Sequence, residues 1–127
     1  MLRLALALAV FLAIAGAAAA QNRNQVLFGA IAYSPETRTI GVAADNATQA
    51  EAESVALQNC RSESSNPEDC RVVMWVRNAC AGLSVGDDGG WGTDWGNDRA
   101  TAERKAMAFC SKYSQTCRPT RTICSGR

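Results

Sequence analysis

The chain repeats itself. Shifted by 50 residues, Ala50, Ala52, Glu53, Ala56 and Cys60 fall on Ala100, Ala102, Glu103, Ala106 and Cys110. A shift of 51 places Ala30, Ile40 and Gly41 on Ala81, Trp91 and Gly92, and a shift of 47 places Cys70-Arg71 on Cys117-Arg118. The order of features agrees throughout, so the changes in shift amount to one insertion and one shortened loop. Such a duplication constrains the fold strongly, because each copy must form one supersecondary unit and bury its apolar face against a neighbour.

Each copy reads as strand, turn, strand, helix, strand. In the first, Val26 to Tyr33 is an apolar run suited to a buried strand. Ser34-Pro35-Glu36-Thr37 follows as a turn, since Pro presets the backbone angle that a turn requires, and Thr39 to Ala43 returns as a second strand. Thr48-Gln49-Ala50-Glu51 matches a capping box. Ala52, Val55, Ala56 and Cys60 recur at helical spacing behind it, and Val72 to Val76 is a continuous apolar run read as a central strand, with Trp75 in the core. In the second copy Ala81 to Val85 and Trp91 to Thr93 are the strands, joined by the turn Gly86-Asp87-Asp88-Gly89. Asp98 takes the capping place of Thr48; Ala102, Ala106, Phe109 and Cys110 form the buried helix stripe; a short last strand lies near Thr120 to Ile123. The fold class expected is α+β: two strand-strand-helix-strand units forming one small antiparallel-sheet domain with two helices, stapled by disulfides.

The repeat also orders the cysteines. There are six, Cys60, Cys70, Cys80, Cys110, Cys117 and Cys124, and spacing alone allows 15 connectivities. Cys60 and Cys110 end equivalent helices, and Cys70 and Cys117 open equivalent last strands. Equivalent positions should make equivalent bonds, giving Cys60–Cys70 and Cys110–Cys117 and leaving Cys80 with Cys124. A zinc site is disfavoured, because the chain has no histidine and no Cys-x-x-Cys pair. No cofactor is expected.

The N-terminus reads as a targeting signal. Met1-Leu2-Arg3 is a basic start, Leu4 to Ile14 is apolar, and Ala18-Ala19-Ala20 ends the segment with small residues. The apolar stretch is too short to cross a bilayer, which takes about 20 residues. The expected organisation is a cleaved secretory signal over 1–20, a short segment over 21–27, and one two-repeat domain over 28–127 with units at 28–78 and 79–124. Export to the periplasm or the medium also provides the oxidising surroundings that six paired cysteines need. Once Arg3 leaves with the signal, 12 basic and 12 acidic residues remain. Neutrality argues against a sequence-independent nucleic-acid binder, whose affinity rests on neutralising phosphates. The charges are segregated all the same: residues 98–127 hold seven basic and two acidic residues. Arg118, Arg121 and Arg127 near the tail could meet an acidic partner, or form an ordinary basic surface.

Several segments resemble a known family. Phe28-Gly29-Ala30-Ile31-Ala32-Tyr33-Ser34, Cys70-Arg71-Val72-Val73, Arg77-Asn78-Ala79-Cys80-Ala81 and Gly92-Thr93-Asp94-Trp95-Gly96 are similar to the exported bacterial family called "domain of unknown function 4189", over about residues 28–124. The resemblance implies bacterial origin, export and a two-copy, cysteine-bridged fold. It implies no reaction and no catalytic residues. One departure is Thr39-Ile40-Gly41-Val42, which lacks the aromatic expected there.

Gly86 to Asp98 is the most unusual segment, with five of the ten glycines, two of the three tryptophans and Asp87, Asp88, Asp94 and Asp98. Exposed tryptophans there could stack on sugars, the aspartates could hold calcium, or two carboxylates could hydrolyse a glycoside. The repeat supplies a plain role for most of these residues. Trp91 falls on Ile40 and belongs to the core; Asp88-Gly89 serves a hairpin turn; Asp98 serves as a helix cap. Trp95 falls beside Ala44 or Asp45, in a loop before the helix. Only Asp94 and Trp95 lack a structural task, so they are the candidate binding residues. The run also lacks the alternating carboxylates of a calcium loop. Asn46-Ala47-Thr48 fits a glycosylation acceptor, but Thr48 is better explained as a cap.

Other chemistries are excluded more firmly. A serine hydrolase wants a histidine base and a Gly-x-Ser-x-Gly elbow, and neither is present. Six bridged cysteines leave no thiolate nucleophile, and no Gly-x-x-x-x-Gly-Lys phosphate loop occurs. Two function classes fit: a non-enzymatic binding domain for a protein or glycan (an inhibitor, immunity-type protein or effector), or a small cell-wall glycan hydrolase pairing Asp94 with Glu103 or Asp98.

In the chain-entropy account the two short disulfide loops contribute roughly 2.5 kcal/mol each and the long Cys80–Cys124 loop roughly 4 kcal/mol. Cys80→Ala should therefore lower the Tm more than Cys110→Ala in thermal scans; the reverse order would contradict the pairing.

Overall fold

The computed structural model describes residues 25–126, so the expected signal at 1–20, most of the segment at 21–27 and Arg127 lie outside the described residues. The first unit comprises β1 (Phe28–Ser34), β2 (Thr39–Asn46), α1 (Gln49–Glu63), a 3-10 turn at Pro67–Asp69 and β3 (Arg71–Arg77). The second comprises β4 (Cys80–Val85), β5 (Trp91–Gly96), α2 (Arg99–Cys110) and β6 (Arg118–Cys124). Each unit makes its own antiparallel sheet, ordered β2-β1-β3 and β5-β4-β6. Over the described residues the fold is α+β with two helices and three disulfides, as the repeat leads one to expect.

The two sheets stack face to face, and each carries its helix on the outer face. Strand alternation sets this arrangement, because successive side chains point to opposite sides. Ala30, Ala32 and Ala43 point outward and pack with Ala52, Ala56, Cys60 and Cys70 beneath α1. Ile31, Tyr33 and Val76 point inward and meet Ala81, Leu83 and Ile123 of the second sheet. Central strand β1 is buried on both sides, which accounts for its continuous apolar run.

Register corrects one part of the sequence alignment. Gly41 pairs with Ala32, and Gly92 pairs with Ser84. Ala30 therefore corresponds to Gly82, a shift of 52, and not to Ala81. The faces agree: Ala30 lies under α1, whereas Ala81 lies in the core between the sheets. A slip of one residue turns a side chain to the other face of a strand. Two small residues in a row made the two alignments look alike in sequence.

The changes in shift now have physical identities. From 51 to 50, the extra residue of the first copy is a bulge in β2 before Asn46, where Asp45 adopts φ 58°. From 50 to 47, the difference equals the 3-10 turn at Pro67–Asp69. Both copies also carry a register shift at the same place, between Ile31 and Ala32 against β3 and between Leu83 and Ser84 against β6.

Both helices begin at side-chain caps. Thr48 Oγ1 accepts from the Glu51 amide at 3.1 Å, and Asp98 Oδ1 accepts from the Thr101 amide at 2.7 Å. Each then presents a stripe of small residues to its sheet, Ala52-Ala56-Cys60 and Ala102-Ala106-Cys110, all at 0 % exposure. Glycines in the second strands let helix backbone meet strand backbone. A Cβ on Gly41 would lie 2.1 Å from the Ala56 carbonyl oxygen, and one on Gly92 would lie 2.3 Å from the Cys110 amide nitrogen.

The disulfides join Cys60 to Cys70, Cys110 to Cys117 and Cys80 to Cys124. The first two tie each helix end to the start of its last strand. Cys80 and Cys124 face each other directly across β4 and β6, with Cα atoms 4.0 Å apart.

Four expectations are corrected. Strand β6 runs the full Arg118–Cys124, longer than the short segment expected, because the second sheet repeats the first strand for strand. Strand β5 continues to Gly96, so Asp94 and Trp95 stand on a strand and not in a loop. Trp75 is 44 % exposed, because β3 is an edge strand. Phe109 is 39 % exposed, since it occupies the position of Asn59 at the margin of the helix stripe.

Gly41→Ala and Gly92→Ala should each cost about 2–3 kcal/mol in urea titrations, because backbone and not a flexible side chain blocks the added methyl. An unchanged midpoint in either variant would contradict the close approach of helix and strand.

Candidate functional site

Strand β5 is an edge strand, and its odd positions face the seam between the sheets. Trp91, Thr93 and Trp95 pair with Val85, Leu83 and Ala81, whose side chains belong to the inner core. Trp91 is half-buried there, edge-on to Tyr33 with ring centroids 5.4 Å apart, and the Arg71 guanidinium lies 6.0 Å from its ring. The expected core role of Trp91 thus holds on one side only; its other side reaches a surface cleft. Trp95, four residues on, is 47 % exposed.

Asp94 has a local task that the sequence does not disclose. Its Oδ1 accepts the Trp95 amide at 2.8 Å and lies 3.5 Å from Lys105 Nζ. Lys105 Nζ also donates to the Trp95 carbonyl at 2.8 Å and sits 5.0 Å from the Trp95 ring centroid. Both backbone groups of Trp95 are therefore occupied by side chains at the open edge, which hinders another strand from pairing there. The structure brings Asp94 and Trp95 together with Lys105, a residue that sequence reasoning missed. Its only signal was a cation on α2 one residue before Ala106 of the buried stripe.

The other carboxylates considered for hydrolysis are engaged elsewhere. Asp98 caps α2, and Glu103 Oε1 accepts from Thr122 Oγ1 at 3.1 Å. Among the described residues no group of three or more His, Cys, Asp or Glu side chains is arranged to hold a metal ion. Asp87 pairs with Arg118, and Arg38 donates to the Asp87 carbonyl at 2.9 Å.

Two clefts flank β5. One, of about 400 Å³, is lined by Met74, Trp75, Val76, Arg77, Ala79 and Trp95, and so lies between β3 and β5. The other, of about 490 Å³, is lined by Gly89, Gly90, Trp91, Phe109 and Tyr113 at the opposite end of the strand. Phe109 and Tyr113 have ring centroids 5.9 Å apart, and Lys112 Nζ lies 5.1 Å from the Phe109 centroid.

The first copy serves as an internal control. Trp75, Phe109 and Tyr113 correspond to Thr122, Asn59 and Glu63, and Trp95 to the Ala44–Asp45 bulge. The equivalent seam, between β2 and β6, is closed by that bulge: Asp45 N donates to Ser125 Oγ at 3.0 Å and Gly126 N to Asp45 Oδ1 at 2.8 Å. One seam is sealed with hydrogen bonds. Its twin is open and lined with aromatic rings.

The hairpin between β4 and β5 is fixed by Asp88. The Ser114 hydroxyl, and then the Gly90 amide at 3.1 Å, hold the Asp88 carboxyl below its ordinary pKa of 3.8. A depressed folded pKa stabilises above the unfolded value, and that contribution disappears as pH falls through the folded one. Stability should therefore drop less steeply on acidification in Asp88→Asn than in the parent protein, as followed by urea unfolding across the acid range; parallel profiles would contradict this.

No helix among the described residues is long and apolar enough to cross a membrane. Neither a curated protein nor a solved structure matches the chain. A family model does match, over residues 28–124, and the chain belongs to the family described as "Domain of unknown function (DUF4189)".

Proposed function

We propose that this is an exported, non-enzymatic binding domain whose ligand face is the open seam along β5. The observation that carries the reading is the asymmetry between the copies. All four exposed large hydrophobics among the described residues, Trp75, Trp95, Phe109 and Tyr113, line the clefts flanking β5, and their counterparts in the repeat are small or polar. Exposed aromatic groups cost solvation, and contiguous apolar patches on small proteins mark interaction sites. The disulfide frame adds to this, because a rigid face loses little entropy on association. Three disulfides suit an oxidising compartment and support export.

Capture from envelope extract with the intact protein and with Trp95→Ala as baits tests the reading. Trp95 is exposed, so the variant should fold normally and lose the partner. Equal recovery with both baits would remove the seam from consideration. A peptidoglycan zymogram should show no clearing; clearing that vanishes in Asp94→Asn would replace binding with hydrolysis.

A further inference from the structure

Three of the five rings along β5 have a cation against them. Arg71 lies against Trp91, Lys105 against Trp95 and Lys112 against Phe109, at 6.0, 5.0 and 5.1 Å from the ring centroids. Arg77 borders the cleft that holds Trp75 and Trp95. Asp94 offsets Lys105 through their contact and Asp69 interacts with Arg71, so Lys112 and Arg77 supply the positive excess of the face. The protein is close to neutral as a whole, with 13 basic and 12 acidic residues, so this is a local accumulation and not a general basicity.

We infer that the seam binds an acidic polysaccharide. This rests on the binding reading above and names the class of ligand. The π face of an aromatic ring carries partial negative charge and attracts the C–H edges of a flat partner. A pyranose offers such C–H bonds from one face. Carboxylates carried on the sugar ring then reach the adjacent ammonium and guanidinium groups, where charge-assisted hydrogen bonds are strongest. Trp91 and Trp95 stand on the same face of one strand, about 13 Å apart at ~3.4 Å per residue. That separation suits an extended polymer and not a single small molecule. A peptide added as a further strand is disfavoured, because Asp94 and Lys105 already occupy the Trp95 amide and carbonyl. Single-stranded nucleic acid also stacks on rings, but it needs a continuous basic track, and along this seam Arg71, Lys105 and Lys112 each stand at a separate ring.

The test uses the oxidised protein, tryptophan fluorescence and three probes: polygalacturonate, the same polymer fully methyl-esterified, and oligothymidylate. Polygalacturonate should bind, and esterification should weaken it at least tenfold, since it removes charge and keeps the sugar faces. Trp95→Ala should lose tenfold or more, Lys112→Gln and Arg77→Gln severalfold each, and Arg61→Gln on the far helix nothing. Equal binding of both pectins would overturn the requirement for acid groups. Tighter binding of oligothymidylate would overturn the glycan in favour of nucleic acid. Silence toward both pectins, with a partner still captured through Trp95, would overturn the glycan class and leave the binding face intact. Loss of Trp95 dependence in both experiments would overturn both.

Discussion

Each helix is seated directly on the second strand of its own unit, backbone against backbone. At Gly41 and Gly92 helix and strand approach so closely that a single methyl would collide with backbone. Close approach needs small residues on both sides, and the stripes Ala52-Ala56-Cys60 and Ala102-Ala106-Cys110 supply them. Little apolar area is buried per residue by alanine, so packing of this kind stabilises weakly. The disulfides add to it, because Cys60 and Cys110 end the stripes and lock each helix to the following strand. Helix, glycine and cystine form one device, used twice.

Seating the helices over the first two strands of each unit has a second consequence. The third strand of one sheet and the second strand of the other meet at the border of the sandwich, giving two seams related by the duplication. The protein treats them differently. At β2–β6 a bulge with a left-handed Asp45 draws the chain end in through Ser125 and Gly126. At β5–β3 the bulge is missing, Trp95 stands in its place, and the Asp94–Lys105 pair guards the edge. The difference between the twin seams thus comes down to the Asp45 bulge on one border and Trp95 with its neighbours on the other.

Much of the fold was legible because the repeat doubled every weak signal. The poor apolar content of Thr120 to Ile123 hid a full strand, but the twin strand Val72 to Val76 showed that one was needed. Strand register was harder to read, since Gly29-Ala30 and Ala81-Gly82 differ too little to reveal a shift of one residue. Trp75 misled for a physical reason: a continuous apolar run signals a strand, but it does not say whether that strand lies at the centre or the edge of a sheet. At the candidate site, Asp94 and Trp95 stood out because the repeat left them without a task. Lys105, Arg71 and Lys112 were not legible, because each gains its meaning from a ring brought close only by folding.

Duplication left one seam sealed and its twin open, and the proposed ligand face is the open one. Amide chemical-shift mapping on the oxidised protein tests it most directly, with whatever partner binds. A partner on the open seam should perturb signals at the Trp75 and Trp95 indoles and along β5 and the second half of α2, with Asp45 and Ser125 unmoved. Perturbations confined to β2, β6 and the Asp45 bulge would contradict it.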